Sequence, residues 1–292
     1  MNWQEWYKKS NTNTPEIAMV AEIGINHNGD LNTAKELMLL AKSSGCDAVK
    51  FQKRTLEKVY TKEFLESPRE SVWGNTQRAQ KQGLEFGLSD YQEIDDFAKQ
   101  IDIAWTASAW DLESLDFVEK FNPPFHKIAS AFVTNLEFLD ATAALGRLTL
   151  VSTGMSDISD VEHAVQIFNK YNCPIVLLHC VATYPAKKEN LNLRSIITLK
   201  EKFPSLPIGY SGHESNVSPT IVAVALGAVV VERHITLDRA MPGSDQSASL
   251  EPAGLRNLVG AIKQIPAELG TGVKGYMPGE VETAKKLRYW EQ

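Results

Sequence analysis

The chain has 292 residues, 43% of them hydrophobic and 23% charged, with a formal net charge of -6. That length can bury a full core in one or two domains, and the slightly acidic balance gives no reason to expect nucleic acid as a partner. An anionic substrate would have to be drawn in by a local cluster of lysines, because the global field repels it weakly.

Three cysteines, Cys46, Cys173 and Cys180, form no CxxC pair and fit a reduced compartment better than a disulfide scaffold. The opening segment MNWQEWYKKSNTNTPE lacks the apolar core of a signal peptide. The longest apolar run, residues 221 to 231, is interrupted by Gly227 and falls short of the roughly 20 residues a membrane helix needs. The expectation is a cytoplasmic protein with no membrane partner.

Residues 1 to 15 read as a polar leader. Residues 17 to 23 (IAMVAEI) then read as a buried strand ending in the loop GINHNGD, and residues 31 to 44 carry apolar side chains at helical spacing up to the stop signal Gly45. A second strand over 47 to 51 is followed by a long polar insert, 52 to about 89, and a helix over 91 to 99. Further strands are expected at 101 to 106, 125 to 129, 148 to 152, 174 to 179, 206 to 210 and 228 to 233. Helices should follow them at 112 to 121, 136 to 145, 158 to 171, 193 to 203, 219 to 226 and 252 to 265. Eight nearly all-apolar strands, each followed by a helix, predict a (β/α)8 TIM barrel over residues 16 to 266, with a tail from 267 to 292. The loop GINHNG has two glycines and fails the dinucleotide-binding pattern of an open doubly wound sheet. An insert as long as 52 to 89 is expected to act as a lid or a subunit contact, with WGNTQR as its candidate segment.

In a TIM barrel the site lies at the C-terminal strand ends. Those ends carry Glu22 with Asn26 and His27, then Lys50 and Gln52, Thr106 and Ser108, Lys127 and Ser130, Ser152 to Gly154, His179 with Tyr184 beyond, Ser211 and His213, and Glu232 and His234. Lys50 and Lys127 with the hydroxyls suit a phosphate or carboxylate; the plainer alternative is a buried ion pair such as Glu22 with Lys50. His213 and His234, at neighbouring strand ends, suit a divalent ion with open positions, or are only hydrogen-bonded. Asp245 either completes that set through a water or holds its loop. His126 alternates with Lys127 and should pack behind the barrel, His27 reads as a turn residue, and Trp105, Trp110 and Tyr184 as rim packing.

The ordered segments AEIGINHNGDLNTAKELMLLAKSSGCDAVKFQ, HKIAS, STGMSD, HCVATYP, IGYSGHES, VVVERHITLD and GSDQSASLEP closely resemble the N-acetylneuraminate (sialic acid) synthase family, from about Ala21 to Pro252. The resemblance implies a transferase that joins phosphoenolpyruvate to the aldehyde of an aldose such as N-acetylmannosamine, forming a nonulosonic acid and phosphate. It implies a phosphoenolpyruvate cradle of Lys50, Ser108, Lys127, Ser130, Ser152 and Ser211, and His213 and His234 as ligands of Mn2+ or Mg2+. It also implies Glu22 as the acid/base, sugar contacts from Gln52, Asn75, Tyr184 and Asp245, and a homodimer. Three positions depart from the family pattern: Phe132 where many members are acidic, Ala182 where they carry Ser or Asn, and Gln246 where GSDH is usual. The small antifreeze-like domain that usually follows the barrel is expected to be absent. These departures keep open a second reading, a non-catalytic or regulatory barrel that binds phosphoenolpyruvate and metal. A barrel metallohydrolase is disfavoured because the first strand offers no His-x-His pair.

Overall fold

The computed structural model describes residues 1–12 and 15–291. The apolar runs form β1 (Ala18–Gly24) and β2 (Ala48–Lys53), and the insert supplies a small antiparallel hairpin, β3 (Pro68–Ser71) and β4 (Gly74–Thr76). Then follow β5 (Ala104–Ala109), β6 (His126–Ile128), β7 (Thr149–Ser152), β8 (Ile175–Cys180), β9 (Ile208–Gly212) and β10 (Val230–His234). Eight of them lie side by side in the order β5-β2-β1-β10-β9-β8-β7-β6. The first and last strands pair in parallel, from Ala18 with Val230 to Glu22 with His234, and this wraps the sheet into a ring. The seam lies between β5 and β6, where Thr106 Oγ1 donates to the Phe125 carbonyl at 2.8 Å. Helices such as Leu31–Ser43, Ile158–Lys170 and Pro252–Leu269 coat the outside. The architecture is the nearly closed (β/α)8 barrel that the eight apolar runs predict.

Side chains alternate across each strand, and here that alternation also sorts by height. On the inner face Ala18, Val20, Ala48, Leu150, Val176, Leu178 and Val230 form an apolar floor. The next inward positions along the same strands are Glu22, Lys50, Ser152, Cys180 and Glu232, all buried. The barrel is thus oily below and polar above. Gly209 leaves room for that floor, since a Cβ there would lie 2.6 Å from Val230 Cγ1. The outward positions, including Met19, Ile23, Val49, Phe51 and Val231, make the larger core with the helices.

Four segments differ from the sequence expectation. The leader holds a helix, Trp3–Ser10, capped by Asn2. Its Trp3 and Trp6 are buried, Trp3 lying 4.3 Å from the Phe125 ring, so the helix plugs the apolar floor from below. The third barrel strand begins at Ala104 because the preceding helix, Leu88–Gln100, runs on and the chain turns at Asp102 with φ 54°. The insert contributes short helices and the helix Gln77–Leu84 as well as the hairpin. The tail carries an exposed helix, Glu280–Leu287. No helix among the described residues is long and apolar enough to cross a membrane.

Candidate active site

At the polar end of the barrel four charged side chains interlock. Lys50 Nζ lies 2.6 Å from Glu22 Oε2 and 3.7 Å from Glu232 Oε1, while Lys127 Nζ lies 3.6 Å from that same Glu232 oxygen. Hydroxyls complete the ring: Lys50 donates to Ser108 Oγ at 2.9 Å and Lys127 to Ser152 Oγ at 2.8 Å, and Ser211 Oγ donates to Glu232 Oε1 at 3.3 Å. Ser130 Oγ accepts from the Gly154 amide at 3.1 Å. Gln52 Nε2 donates to Glu22 Oε1 at 2.8 Å. All of these side chains except Gln52 are buried, and together with Gln52 they line one cavity of about 160 Å³ with Trp110, Tyr184, His213 and His234.

Burial sets the protonation behaviour of the quartet. It pushes the Glu22 carboxyl up to about 7 against the pull of Lys50. It also presses on Glu232, but Lys127 and Lys50 outweigh it and hold that carboxyl below its ordinary value. Lys127 is pushed down by burial. Lys50 feels the same pressure, yet Glu22 and Glu232 raise it. One carboxyl is therefore tuned toward neutrality while the other stays ionised, the separation acid/base chemistry needs.

His213 and His234 come together on β9 and β10, with ring centroids 5.4 Å apart. His213 Nδ1 donates to the Val181 carbonyl at 2.9 Å, which leaves Nε2 as the lone-pair nitrogen. Anchoring of one ring nitrogen on a carbonyl is how ligating histidines are usually oriented. Burial, with His234 adding to it, lowers His213 to about 4, so the ring is neutral. His234 Nδ1 is buried without a hydrogen-bond partner, 3.8 Å from Asp245 Oδ2. This donor set fits a divalent ion. Among the described residues no group of three or more His, Cys, Asp or Glu side chains has metal-binding geometry, so an ion here would take further ligands from water or substrate.

The Tyr184 ring packs against His213 with centroids 4.0 Å apart and planes tilted by 42°, and it is half exposed at the rim. Asn75 is not brought to the cavity: it is exposed on β4. Asp245 stands behind His234 and outside the lining. Of the three departures, Ala182 lines the cavity, and Phe132 packs on Trp110 at 5.5 Å. Gln246 is buried in the supporting loop, donating to the Asn26 carbonyl at 3.3 Å and accepting from Thr236 Oγ1. His126 packs behind the barrel 2.8 Å from Glu119, and His27 stacks on Phe86 at 4.1 Å. The member sequence reasoning undervalued is Glu232, which bridges both lysines. Its spacing of two from His234 on a strand was the available signal.

A model of the NeuB family matches residues 37–274. The chain is 41% identical over 271 residues to the N-acetylneuraminate-9-phosphate synthase of Homo sapiens, covering 92% of this chain and 76% of that protein. It is 38% identical over 276 residues to the N,N'-diacetyllegionaminic acid synthase of Campylobacter jejuni, covering 92% and 82%. The crystal structure of N-acetylneuraminic acid synthetase from Leptospira borgpetersenii superposes with a TM-score of 0.83 at 32% identity, covering 94% of each chain. With the family model spanning most of the barrel and the polar ring at its mouth, the chain belongs to the NeuB family.

Proposed function

We propose that this protein condenses phosphoenolpyruvate with the open-chain aldehyde of an aldose, giving a nonulosonic acid and inorganic phosphate. The observation that carries the reading is the buried Glu22-Lys50-Glu232-Lys127 quartet facing a small cavity ringed by serine hydroxyls. The family relatives, named as synthases of N-acetylneuraminate 9-phosphate and of N,N'-diacetyllegionaminic acid, support it.

In this reaction C3 of the enolpyruvyl unit forms a bond to the aldehyde carbon, whose oxygen takes a proton to become a hydroxyl. Water adds at C2 and supplies the ketone oxygen, while phosphate leaves with the bridging oxygen and the C–O electron pair. Water's two protons end on the new hydroxyl and on phosphate. Lys50 and Lys127, with Ser108, Ser130, Ser152 and Ser211, hold the trianion by charge and short donors. Glu22, raised toward neutrality by burial, accepts and returns the proton. Gln52 and Tyr184 bound the acceptor within the cavity, while Asp245 stands beside His234 outside its lining and Asn75 lies away from it. His213 and His234 would hold Mn2+ or Mg2+, which when bound supplies Lewis-acid polarisation of the aldehyde oxygen.

The test mixes phosphoenolpyruvate with a panel of aldoses and Mn2+. Phosphate should appear only when both substrates are present, and mass spectrometry should find a product heavier than its acceptor by one pyruvate. Phosphate release that needs no acceptor, or none with any aldose, would overturn the reading. The names of the relatives include a phosphorylated and an unphosphorylated product, so family membership alone does not decide the acceptor's charge.

A further inference from the structure

The ladder between β9 and β10 ends where Gly212 meets Arg233, one residue short of both cavity histidines. Sheet hydrogen bonding therefore does not set the separation of His213 and His234; the loops that follow the two strands have to. His234 is held from its other side, as the register partner of Glu22 on β1, and its carbonyl accepts from the Leu250 amide at 2.8 Å. His213 stands past the end of β9 and pairs in neither neighbouring ladder.

Two arginines cross between these loops. Arg233 does so from inside the fold, donating to the carbonyls of Glu214 and Asn216. Arg239 does so from outside: its Nη2 donates to the Ser215 carbonyl at 2.6 Å and its Nε to the Ser249 carbonyl at 2.7 Å, while its own amide donates to Glu251 Oε1 at 3.2 Å. Ser215 lies two residues past His213. Ser249 Oγ donates to the Asp245 carbonyl at 2.7 Å and accepts from Asn26 Nδ2 at 2.8 Å, which anchors the segment that sets Asp245 3.8 Å from His234. One guanidinium thus joins the backbone that follows His213 to the backbone that carries the carboxylate behind His234. Its planar fork suits the task, because donors fixed in different directions hold two carbonyls at a set spacing, as an ammonium on a flexible stem does not. Arg239 is half-buried, so its removal strands no buried charge, unlike removal of Arg233.

We propose that Arg239 is a positioning residue for the histidine pair: it fixes the loop after His213 against the loop behind His234, and so sets in advance the spacing at which the two imidazoles hold a divalent ion. This rests on the reading above in which His213 and His234 hold Mn2+ or Mg2+. It is tested by calorimetric titration of Mn2+ into the metal-free wild type, Arg239→Met and Arg239→Lys, with the melting temperature of each metal-free protein measured alongside. Arg239→Met should weaken Mn2+ binding by about 10- to 100-fold, the usual effect of losing a group that orients metal ligands, with a melting temperature within about 2 °C of wild type. Arg239→Lys keeps the charge but not the fork and should fall between the two. Mn2+ binding within about twofold of wild type in Arg239→Met, or a melting temperature that falls in step with the affinity, would overturn the proposal. If Arg239→Met does not fold, Arg239→Lys decides on the same two readouts, a loss of about threefold or more at unchanged melting temperature upholding it. A wild type that takes up neither Mn2+ nor Mg2+ would remove the ion-holding role of the histidines and this proposal with it, whereas equal Mn2+ affinity in all three proteins removes the proposal alone.

Discussion

Lys50 Nζ sits 2.6 Å from Glu22 Oε2, and the two residues are direct register partners on β2 and β1. A buried ion pair of this kind adds little net stability, because desolvation offsets most of the attraction. Its value lies in what it leaves free: Glu22 Oε1 is held by Gln52, and Lys50 reaches Ser108 and Glu232, so both groups face the cavity already oriented. In the proposed condensation, the structural pair and the reactive pair would be the same two side chains.

The roles of Glu22 and Lys127 should therefore separate kinetically. Glu22→Gln keeps the shape and the contact with Gln52 but cannot carry a proton. A fall in kcat of about 100- to 1,000-fold is expected, with the dissociation constant for phosphoenolpyruvate within about threefold of wild type. Lys127→Met removes a cation from the cradle and should instead weaken phosphoenolpyruvate binding by about 100-fold or more. Calorimetry for binding and phosphate release for turnover measure the two. Equal loss of binding in both variants would contradict the division.

A second buried pair stands behind the first. Arg233 is fully buried and lies 3.0 Å from Glu214 Oε1. It also donates to the carbonyls of Asn216 and Glu214 and, at 2.7 Å, to Thr220 Oγ1. Each member is the chain neighbour of a cavity histidine, Glu214 of His213 and Arg233 of His234, so the pair clips those strand ends together. Arg233→Met should cost about 3–5 kcal/mol in urea unfolding, because it strands a buried carboxylate. Adding Glu214→Leu should recover part of that loss. If the double variant is no more stable than the single, the clip is not an ion pair in its energetics.

The barrel was legible because its strands are unbroken apolar runs, and the lysines because a cation inside such a run needs a reason. The plug helix was not: Trp3 and Trp6 sit among seven polar or charged neighbours in MNWQEWYKKS, and only the open barrel floor explains why they are buried. Glu232 was visible as one polar strand-end residue among many. Its bridging of Lys50 and Lys127 depends on closure of β10 onto β1 and on which way each strand faces, which no local pattern encodes.

The insert is fixed to the barrel by a backbone contact. Gly29, in the loop after β1, faces Gly83: a Cβ at Gly29 would lie 1.9 Å from the Gly83 carbonyl oxygen, and a Cβ at Gly83 would lie 2.2 Å from the Trp73 ring. Gly83→Ala should therefore push Trp73 and the hairpin away from the cavity. The expected result is KM for the sugar raised about tenfold, a misplacement effect, with KM for phosphoenolpyruvate and the melting temperature nearly unchanged. A uniform loss of stability would show instead that the contact belongs to the core.

His27 gives the fold an acid limit. The ring is buried against Phe86, and its Nδ1 accepts from the Gly29 amide at 3.0 Å, so a proton there must displace that bond. Burial lowers it to about 4 from an ordinary 6.5. A group depressed in the folded state contributes stability that is fully present above its unfolded value and is lost as pH falls toward its folded value. The window is therefore pH 6.5 down to 4, and the gap corresponds to about 3 kcal/mol. His27→Gln supplies an oxygen for the Gly29 amide and does not titrate. Its unfolding free energy should be lower than wild type at pH 7.5, and the difference should shrink by about 2–3 kcal/mol as pH drops to 4.5. Urea melts of both proteins across that range check it; parallel curves would mean that His27 is not the group that senses acid.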